Sequence, residues 1–165
     1  MSSPSPGVTD GFTLNGGDGD DTITGGDDDD TISGGSGTVD VDGGGGNNTL
    51  DYSASGAGVM VNLGNATASG GDAGSDVISN FQNIIGSGFD DHLNGIAGVS
   101  NILQGGAGMD ILVGLGGTNL LEGRTGRGCA CRPLLNPRDY VGFRRRYGKR
   151  HACRAWSGCH GRHAR

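Results

Sequence analysis

The first 123 residues contain no lysine, arginine, cysteine or tryptophan. The absence of cysteine excludes a disulfide framework and a cysteine-based zinc site in this part of the chain. The absence of side-chain cations leaves its sixteen Asp and one Glu, a net charge of −17, without Lys or Arg partners. Carboxylates crowded in this way repel one another, and a chain of low hydrophobicity does not offset that repulsion alone. We therefore expect this segment to need a bound cation in order to fold.

Other absences exclude whole classes of protein. No stretch approaches the roughly 18 apolar residues of a membrane span, and the N-terminal MSSPSPGVTDGF lacks the basic and apolar regions of a secretory signal peptide. The chain has neither HExxH, the zinc hydrolase motif, nor GxSxG, the nucleophile elbow. We therefore expect a protein that is not an enzyme.

Two adjacent nonapeptides, GGDGDDTIT (16–24) and GGDDDDTIS (25–33), share the pattern G-G-x-x-x-D-x-U-x, where U is apolar. We number its positions 1 to 9, so that Asp stands at position 6 and U at position 8. Paired Gly residues permit a sharp turn that exposes main-chain carbonyls. Such oxygens, together with Asp, suit Ca²⁺, which takes about 6 to 8 oxygen ligands. The x-U-x triplet forms a minimal strand whose inward side chain is buried only when repeats stack.

Less regular copies of the nonapeptide follow the same phase. Position 6 holds Phe12 in 7–15, Val39 in 34–42 and Asn48 in 43–51. The pattern returns in 86–94, 95–104 (one residue longer), 105–113 and 114–122, and in these copies position 6 holds Asp91, Asn101, Asp110 and Asn119. Position 8 is apolar throughout, with Leu14, Ile23, Ile32, Val41, Leu50, Leu93, Leu103, Leu112 and Leu121 expected inside. A disordered Gly-Asp linker has no reason to keep apolar residues nine apart, which favours the folded alternative.

The pattern resembles the calcium-binding nonapeptide repeats of the bacterial repeats-in-toxin (RTX, or hemolysin-type) family. The resemblance implies an all-β fold, a right-handed parallel β-roll, with Ca²⁺ as its cofactor. In that family the turns alternate between two edges, and a calcium ion lies between the turns of repeats n and n+2. Asp91 and Asp110 would then form the best-paired site, whereas Asp21 would face Val39 and Asp30 would face Asn48.

The expected metal ligands follow from this resemblance. Asn101 and Asn119 would form the weakest pair, and the position-6 asparagines are also open to being plain turn residues. The predicted set is Asp21, Asp30, Asp91, Asp110, Asn48, Asn101 and Asn119, with Gly16, Gly17, Gly19, Gly25, Gly26, Asp28, Gly105, Gly106 and Gly108 in the turns.

Changes in composition divide the chain into five parts. Residues 1–6 are expected to be disordered, 7–51 and 86–122 to be two repeat blocks, and 123–165 to be a basic, unstructured tail. We interpret the spacer 52–85 as irregular rungs of the same solenoid, a separate small domain being the alternative. Its alternating Val59, Val61 and Leu63 are strand-like.

The tail holds all twelve Lys and Arg and all four Cys. A zinc knuckle is one interpretation, although its C-x-C and C-x5-C-H-x2-H spacings match no familiar zinc site. An Arg-rich arm for nucleic acid or acidic partners is another, and contact with the acidic roll is a third, although we expect no nucleic-acid partner. A further hypothesis is that the tail is an out-of-frame translation of more repeats, which the DNA of the intact gene would test.

Taken together, the sequence predicts calcium binding by Gly/Asp-rich turns in a module that is disordered without metal, and the resemblance implies that this module is bacterial, secreted and extracellular. The resemblance implies type I secretion through a C-terminal signal, which the basic tail does not resemble. The alternatives are a structural spacer of an adhesin or surface protein, and the appendage of a secreted hydrolase. Calcium ions are the expected partners, and self-association or a cell-surface or polysaccharide partner would come through a longer parent protein.

Overall fold

The computed structural model describes residues 11–124, 140–144 and 151–153, and nearly all of its elements are short strands. The first repeat block forms β1 Thr13–Asn15, β2 Thr22–Thr24, β3 Thr31–Ser33, β4 Asp40–Asp42 and β5 Thr49–Asp51. The spacer forms β6 Met60–Asn62, β7 Thr67–Ser69, β8 Val77–Ser79 and β9 Asn83–Ile85. The second block forms β10 His92–Asn94, β11 Ile102–Gly106, β12 Ile111–Val113 and β13 Leu120–Arg124, and β14 Tyr140–Arg144 and β15 His151–Cys153 follow.

These strands build two sheets that share one core. The eight-stranded sheet has the order β1-β3-β5-β9-β11-β13-β14-β15, and the seven-stranded sheet has the order β12-β10-β6-β7-β8-β4-β2. Within each repeat block successive strands alternate between the sheets, so that each strand pairs in parallel with the strand two repeats away. Ile23 is in register with Val41, and Ile32 with Leu50. This arrangement is a parallel β-roll, as the sequence predicts.

In the two repeat blocks the core is formed mainly by the apolar side chains at position 8. A three-residue strand turns only its middle side chain inward, and the coil stacks these side chains on one another. The eight predicted inward residues from Ile23 onward are all buried: Ile23, Ile32, Val41, Leu50, Leu93, Leu103, Leu112 and Leu121. Leu14 is only partly buried and packs against this cluster, because it belongs to the first described rung and has neighbours on one side alone.

The spacer strands lie between the strands of the two repeat blocks in both sheets. Val59, Val61 and Leu63 are buried and Met60 is exposed, which follows the predicted alternation. The coil reverses locally, because β7 pairs antiparallel with both β6 and β8. Two short 3₁₀ helices, Leu63–Asn65 and Gly71–Ala73, connect these three strands.

Two strands lie in the segment that the sequence predicts to be unstructured. β14 pairs in parallel with β13, and β15 pairs antiparallel with β14. The physical reason is the open side of β13, since an unpaired strand edge presents N–H and C=O groups that any extended segment can satisfy. The other tail residues lie outside the described part of the chain. Among the described residues, no helix is long and apolar enough to cross a membrane.

Candidate calcium sites

Each strand of the two repeat blocks is preceded by a position-6 residue, and Val59, Asp76 and Gln82 take the equivalent place before β6, β8 and β9 of the spacer. The alternation of strands sorts these residues onto two edges of the roll. The edge that leads into the seven-stranded sheet carries four aspartates, and we call it the carboxylate edge. Its position-6 residues are Asp21, Val39, Asp76, Val59, Asp91 and Asp110. The opposite edge carries four amides and leads into the eight-stranded sheet; we call it the amide edge. Its position-6 residues are Phe12, Asp30, Asn48, Gln82, Asn101 and Asn119.

Along the amide edge the position-6 residues form a ladder of hydrogen bonds. The main-chain N–H of one residue donates to the side-chain oxygen of the position-6 residue in the next rung. Phe12 N–H donates to Asp30 Oδ1 (2.7 Å) and Asp30 N–H to Asn48 Oδ1 (2.8 Å). Asn48 N–H donates in turn to Gln82 Oε1, and Asn101 N–H to Asn119 Oδ1. These side chains therefore satisfy buried main-chain donors where the strands begin.

The carboxylate edge has the same kind of ladder with gaps. Val39 N–H donates to Asp76 Oδ1 at 2.9 Å, and Val59 N–H to Asp91 Oδ1 at 2.8 Å. Asp91 N–H donates to Asp110 Oδ1 over a longer 3.2 Å. Valine has no side-chain acceptor, so Val39 and Val59 interrupt the series.

Glycine at position 1 leaves room for the position-6 side chain. A Cβ added at Gly105 would collide with Asp110 Oδ2, and one added at Gly86 would collide with Asp91 Oδ2. Gly16 and Gly25 stand in the same relation to the position-6 aspartates of their own repeats. Later in the turn the reason is the backbone, because Gly108 has φ +122°, which side chains rarely adopt.

Two carboxylate oxygens are buried without any hydrogen-bond partner within the described residues. They are Oδ2 of Asp21 and Oδ2 of Asp110, and the Asp110 side chain is only 1% exposed. Burial, together with the weaker effect of the Asp91 and Asp90 charges, raises the pKa of Asp110 to about 6, although the hydrogen bond from the Asp91 N–H lowers it. A buried, charged oxygen of this kind is costly unless a cation or a donor faces it. The carboxylate edge therefore fits a hard cation at this point.

The carboxylate of Asp91 accepts more hydrogen bonds than the carboxylate of Asp110. Its Oδ1 accepts from the Val59 N–H and the Ser87 hydroxyl, and its Oδ2 accepts from the Ser87 N–H at 2.8 Å. Burial nevertheless raises the pKa of Asp91. The predicted pair Asp91 and Asp110 is thus brought together on adjacent rungs of one edge, with one oxygen of the pair unpartnered.

The other predicted ligands differ in their surroundings. Asp21 is in the rung beside Val39, as the sequence predicts, and gains no second carboxylate there. Asp30 has both oxygens occupied by main-chain donors, Phe12 N–H and Gly26 N–H. The three asparagines, Asn48, Asn101 and Asn119, use their side-chain NH₂ groups as donors to carbonyl oxygens. Of the remaining predicted residues, Gly105 and Gly106 end strand β11. The others lie between strands: Gly16, Gly17, Gly19, Gly25, Gly26, Asp28 and Gly108.

Sequence reasoning missed Asp76, which occupies position 6 of a repeat hidden in the spacer. Its Oδ2 accepts from the Tyr52 hydroxyl at 2.8 Å, and both side chains are buried. The pKa of Tyr52 is raised by burial and by the charge of Asp76, and that of Asp76 is raised by burial. A signal was present, since 71–79, GDAGSDVIS, keeps Gly, Asp and Ile at positions 1, 6 and 8.

The aspartates at position 5 were also missed as structural groups. Asp20 Oδ1 accepts from Thr38 N–H, Asp29 Oδ1 from Asn47 N–H, and Asp90 Oδ1 from Met109 N–H. These bonds run in the opposite direction to the position-6 ladder, because each acceptor lies in the earlier rung.

The described residues contain no group of three or more His, Cys, Asp and Glu side chains arranged to hold a metal ion. The turns also expose main-chain carbonyls beside their carboxylates, because they are rich in glycine. Calcium accepts carbonyl ligands as readily as carboxylates, whereas zinc sites need nitrogen or sulfur. The chemistry of the turns thus favours calcium over a transition metal.

Comparison with known families agrees with this chemistry. A model of the RTX calcium-binding nonapeptide repeat matches four copies, at residues 13–39 and 97–128. No curated protein matches the chain. Within the described residues, both matched segments lie in the turns and strands of the roll. The chain therefore carries RTX calcium-binding nonapeptide repeats, a family of structural repeats that bind Ca²⁺.

Proposed function

We propose that Ca²⁺ binds on the carboxylate edge, between the turns that contain Asp91 and Asp110. The observation that carries this proposal is the buried Oδ2 of Asp110, which has no partner among the described residues. Asp91, Asp110 and the main-chain carbonyls of Gly105, Gly106 and Gly108 are the proposed ligands. Asp21, whose Oδ2 is likewise buried and unpartnered, would serve a second site near the start of the roll.

Calcium binding on this edge would also fold the module. Residues 1–123 carry a charge of −17 and no Lys or Arg, so at neutral pH a bound cation would neutralise the carboxylates that the coil brings together. Because the coil assembles the site, the free energy of binding appears as free energy of folding. We therefore infer a chain that is largely unfolded in chelator and a β-roll in calcium.

The proposed setting is outside a bacterial cell, where weak calcium sites of about 10⁻⁴ to 10⁻³ M are filled. A stretch of 123 residues without cysteine suits a module that uses metal in place of disulfides. In this proposal the roll is a calcium-folded structural module, and any catalytic or adhesive activity belongs to a longer parent protein.

The test is far-UV circular dichroism of the full chain during a Ca²⁺ titration from chelator to ~10 mM, with Mg²⁺ as the competing divalent ion. A cooperative gain of β signal with Ca²⁺ alone is expected. Asp110→Asn should raise the Ca²⁺ midpoint by about tenfold, equivalent to roughly 1.4 kcal/mol. Asp40→Asn makes the same charge change at an exposed strand residue and should leave the midpoint within twofold, by about 0.4 kcal/mol. No response to Ca²⁺, or an equal response to Mg²⁺, would contradict the proposal.

A further inference from the structure

The asparagine NH₂ groups of the amide edge donate hydrogen bonds to main-chain carbonyls, the kind of oxygen that Ca²⁺ binds. Asn48 is fully buried, and its Oδ1 accepts from the Asp30 N–H at 2.8 Å. Its Nδ2 donates to two main-chain carbonyls, Gly45 O at 2.7 Å and Asn80 O at 3.0 Å. The NH₂ group thus joins a carbonyl of its own turn to one of a neighbouring rung.

Asn119 repeats this arrangement, whereas in Asn101 the side-chain oxygen faces its own turn and the NH₂ group faces a neighbouring rung. Asn119 Oδ1 accepts from the Asn101 N–H, and Asn119 Nδ2 donates to Gly116 O at 2.9 Å. Asn101 Oδ1 accepts from the Ile96 N–H, and Asn101 Nδ2 donates to Gln82 O at 2.6 Å. The partners fix which end of each amide is which, because an N–H can only donate and a carbonyl can only accept.

The equivalent atom on the carboxylate edge has no such contact. Asn119 Nδ2 and Asp110 Oδ2 both lie against the position-1 glycine of their own repeat. Asn119 Nδ2 has a carbonyl partner there, whereas Asp110 Oδ2 has no hydrogen-bond partner within the described residues. Asp110 therefore presents an acceptor that needs a cation at this place in the turn. Asn119 presents a donor there, which forms a hydrogen bond with a turn carbonyl.

We propose that calcium occupies only the carboxylate edge of this roll, and that Asn48, Asn101 and Asn119 close the amide edge without metal. The inference rests on the proposed function and specifies where the calcium of that function binds. The sequence predicts these three side chains as metal ligands. In this proposal they are hydrogen-bond donors both with and without calcium.

Electrostatics favour this division. Burying a cation requires negative charge to compensate for its lost hydration. The four amides at position 6 of this edge, three asparagines and Gln82, are all neutral. The one position-6 carboxylate of this edge is Asp30, and each of its oxygens accepts a main-chain N–H at 2.7 Å. Neither oxygen is left unpartnered there, unlike Oδ2 of Asp110.

The test exchanges the chemistry of the two edges in the full chain and counts bound calcium by native mass spectrometry. Asp91→Asn/Asp110→Asn should bind fewer Ca²⁺ ions per chain than wild type. Asn101→Asp/Asn119→Asp should bind more, and should need calcium to regain its β signal. Asn65→Asp, the same change at an exposed residue, should bind the wild-type number.

The outcomes separate this inference from the function on which it rests. A wild-type chain that binds no calcium would remove the proposed function itself. A wild-type chain that binds calcium, with an Asn101→Asp/Asn119→Asp variant that folds and binds no more, would overturn the inference alone.

A second measurement on the wild-type protein applies if the exchanged variant does not fold. With terbium substituted for calcium, NMR signals close to the metal broaden. The main-chain signals of Asp91 and Asp110 should broaden first, while the side-chain NH₂ signals of Asn48 and Asn119 persist. Equal broadening of both sets would place metal on both edges and overturn the inference.

Discussion

At the scale of single residues, the carboxylate of Asp76 joins the spacer to the first repeat block. Asp76 Oδ1 holds the Val39 N–H and Oδ2 holds the Tyr52 hydroxyl, so one buried carboxylate connects three segments of chain. Tyr52 also donates its main-chain N–H to Ile85 O. These hydrogen bonds therefore stabilise the coil in the spacer, where the sequence departs most from the nonapeptide pattern.

Tyr52→Phe should destabilise the calcium-loaded roll by about 1 to 3 kcal/mol, the usual cost of leaving a buried acceptor without its donor. Denaturant unfolding at saturating calcium measures this loss. Adding Asp76→Asn removes the buried charge and should recover part of the stability, because the Val39 N–H keeps an oxygen acceptor. An unchanged unfolding midpoint for Tyr52→Phe would show that the hydroxyl contributes nothing.

Asp76, the partner of Tyr52, shows what the sequence could and could not reveal. Position 8 was predictable because an apolar residue recurs every nine residues, and burial follows from the coil. Position 6 was predicted only in the repeats that the sequence analysis recognised, which include those of Asp91 and Asp110, whereas Asp76 lies in the spacer and was missed. The Tyr52 contact depends on β7 running antiparallel, which no local pattern encodes. The side-chain donors of Asn48, Asn101 and Asn119 likewise depend on carbonyls of the turns, one of them, Asn80 O, thirty-two residues along the chain.

At the scale of the turn, two glycines of neighbouring repeats should respond differently to the same substitution. A Cβ at Gly105 would collide with the Asp110 carboxylate, whereas a Cβ at Gly88 would meet no atom within 4 Å. Neither glycine has a positive φ, so alanine is allowed by the backbone at both positions. The difference between the two variants isolates steric contact with the position-6 side chain.

Gly105→Ala should cost about 1 to 3 kcal/mol, as overpacking does, and should weaken calcium binding because the Asp110 carboxylate must move. Gly88→Ala should change stability by no more than about 0.5 kcal/mol. Thermal unfolding and the calcium midpoint, measured on both variants, supply the comparison. If both alanines were tolerated equally, the Asp110 side chain would not be held against the position-1 glycine.

The strands illustrate another limit of sequence reasoning. Regular x-U-x triplets predicted the strands of both blocks, since each has one inward side chain and Gly on either side. β14 escaped prediction because its residues follow no nonapeptide phase, and it forms only where the β13 edge is free. Pairing at an open edge is decided by the partner strand rather than by the segment itself.

At the scale of the whole molecule, the absence of basic residues from 1–123 makes stability depend on proton and calcium concentration together. The pKa of Asp110 is raised to about 6 by burial, and the pKa values of Asp76 and Asp91 are raised for the same reason. Each group therefore binds a proton more tightly in the folded chain than in the unfolded one. In the absence of metal, the stability that they contribute is present below about pH 4 and is lost as pH rises through the folded-state pKa.

The metal-free chain should consequently gain β structure between pH 7 and pH 5, whereas the apparent calcium affinity should fall over the same range because protons and calcium compete for the carboxylates. One pKa unit corresponds to about 1.4 kcal/mol, so Asp110 alone contributes on the order of 2 to 3 kcal/mol between pH 7 and pH 4, of which about 1 kcal/mol falls between pH 7 and pH 5. Circular dichroism of calcium-depleted protein across this pH range, with and without added calcium, measures both effects. Asp110→Asn, which cannot titrate, should flatten the metal-free response, while Asp40→Asn at an exposed position should leave it steep. A metal-free wild-type chain that lost structure on acidification from pH 7 to pH 5 would show that charge repulsion among buried carboxylates does not limit the folding of the roll.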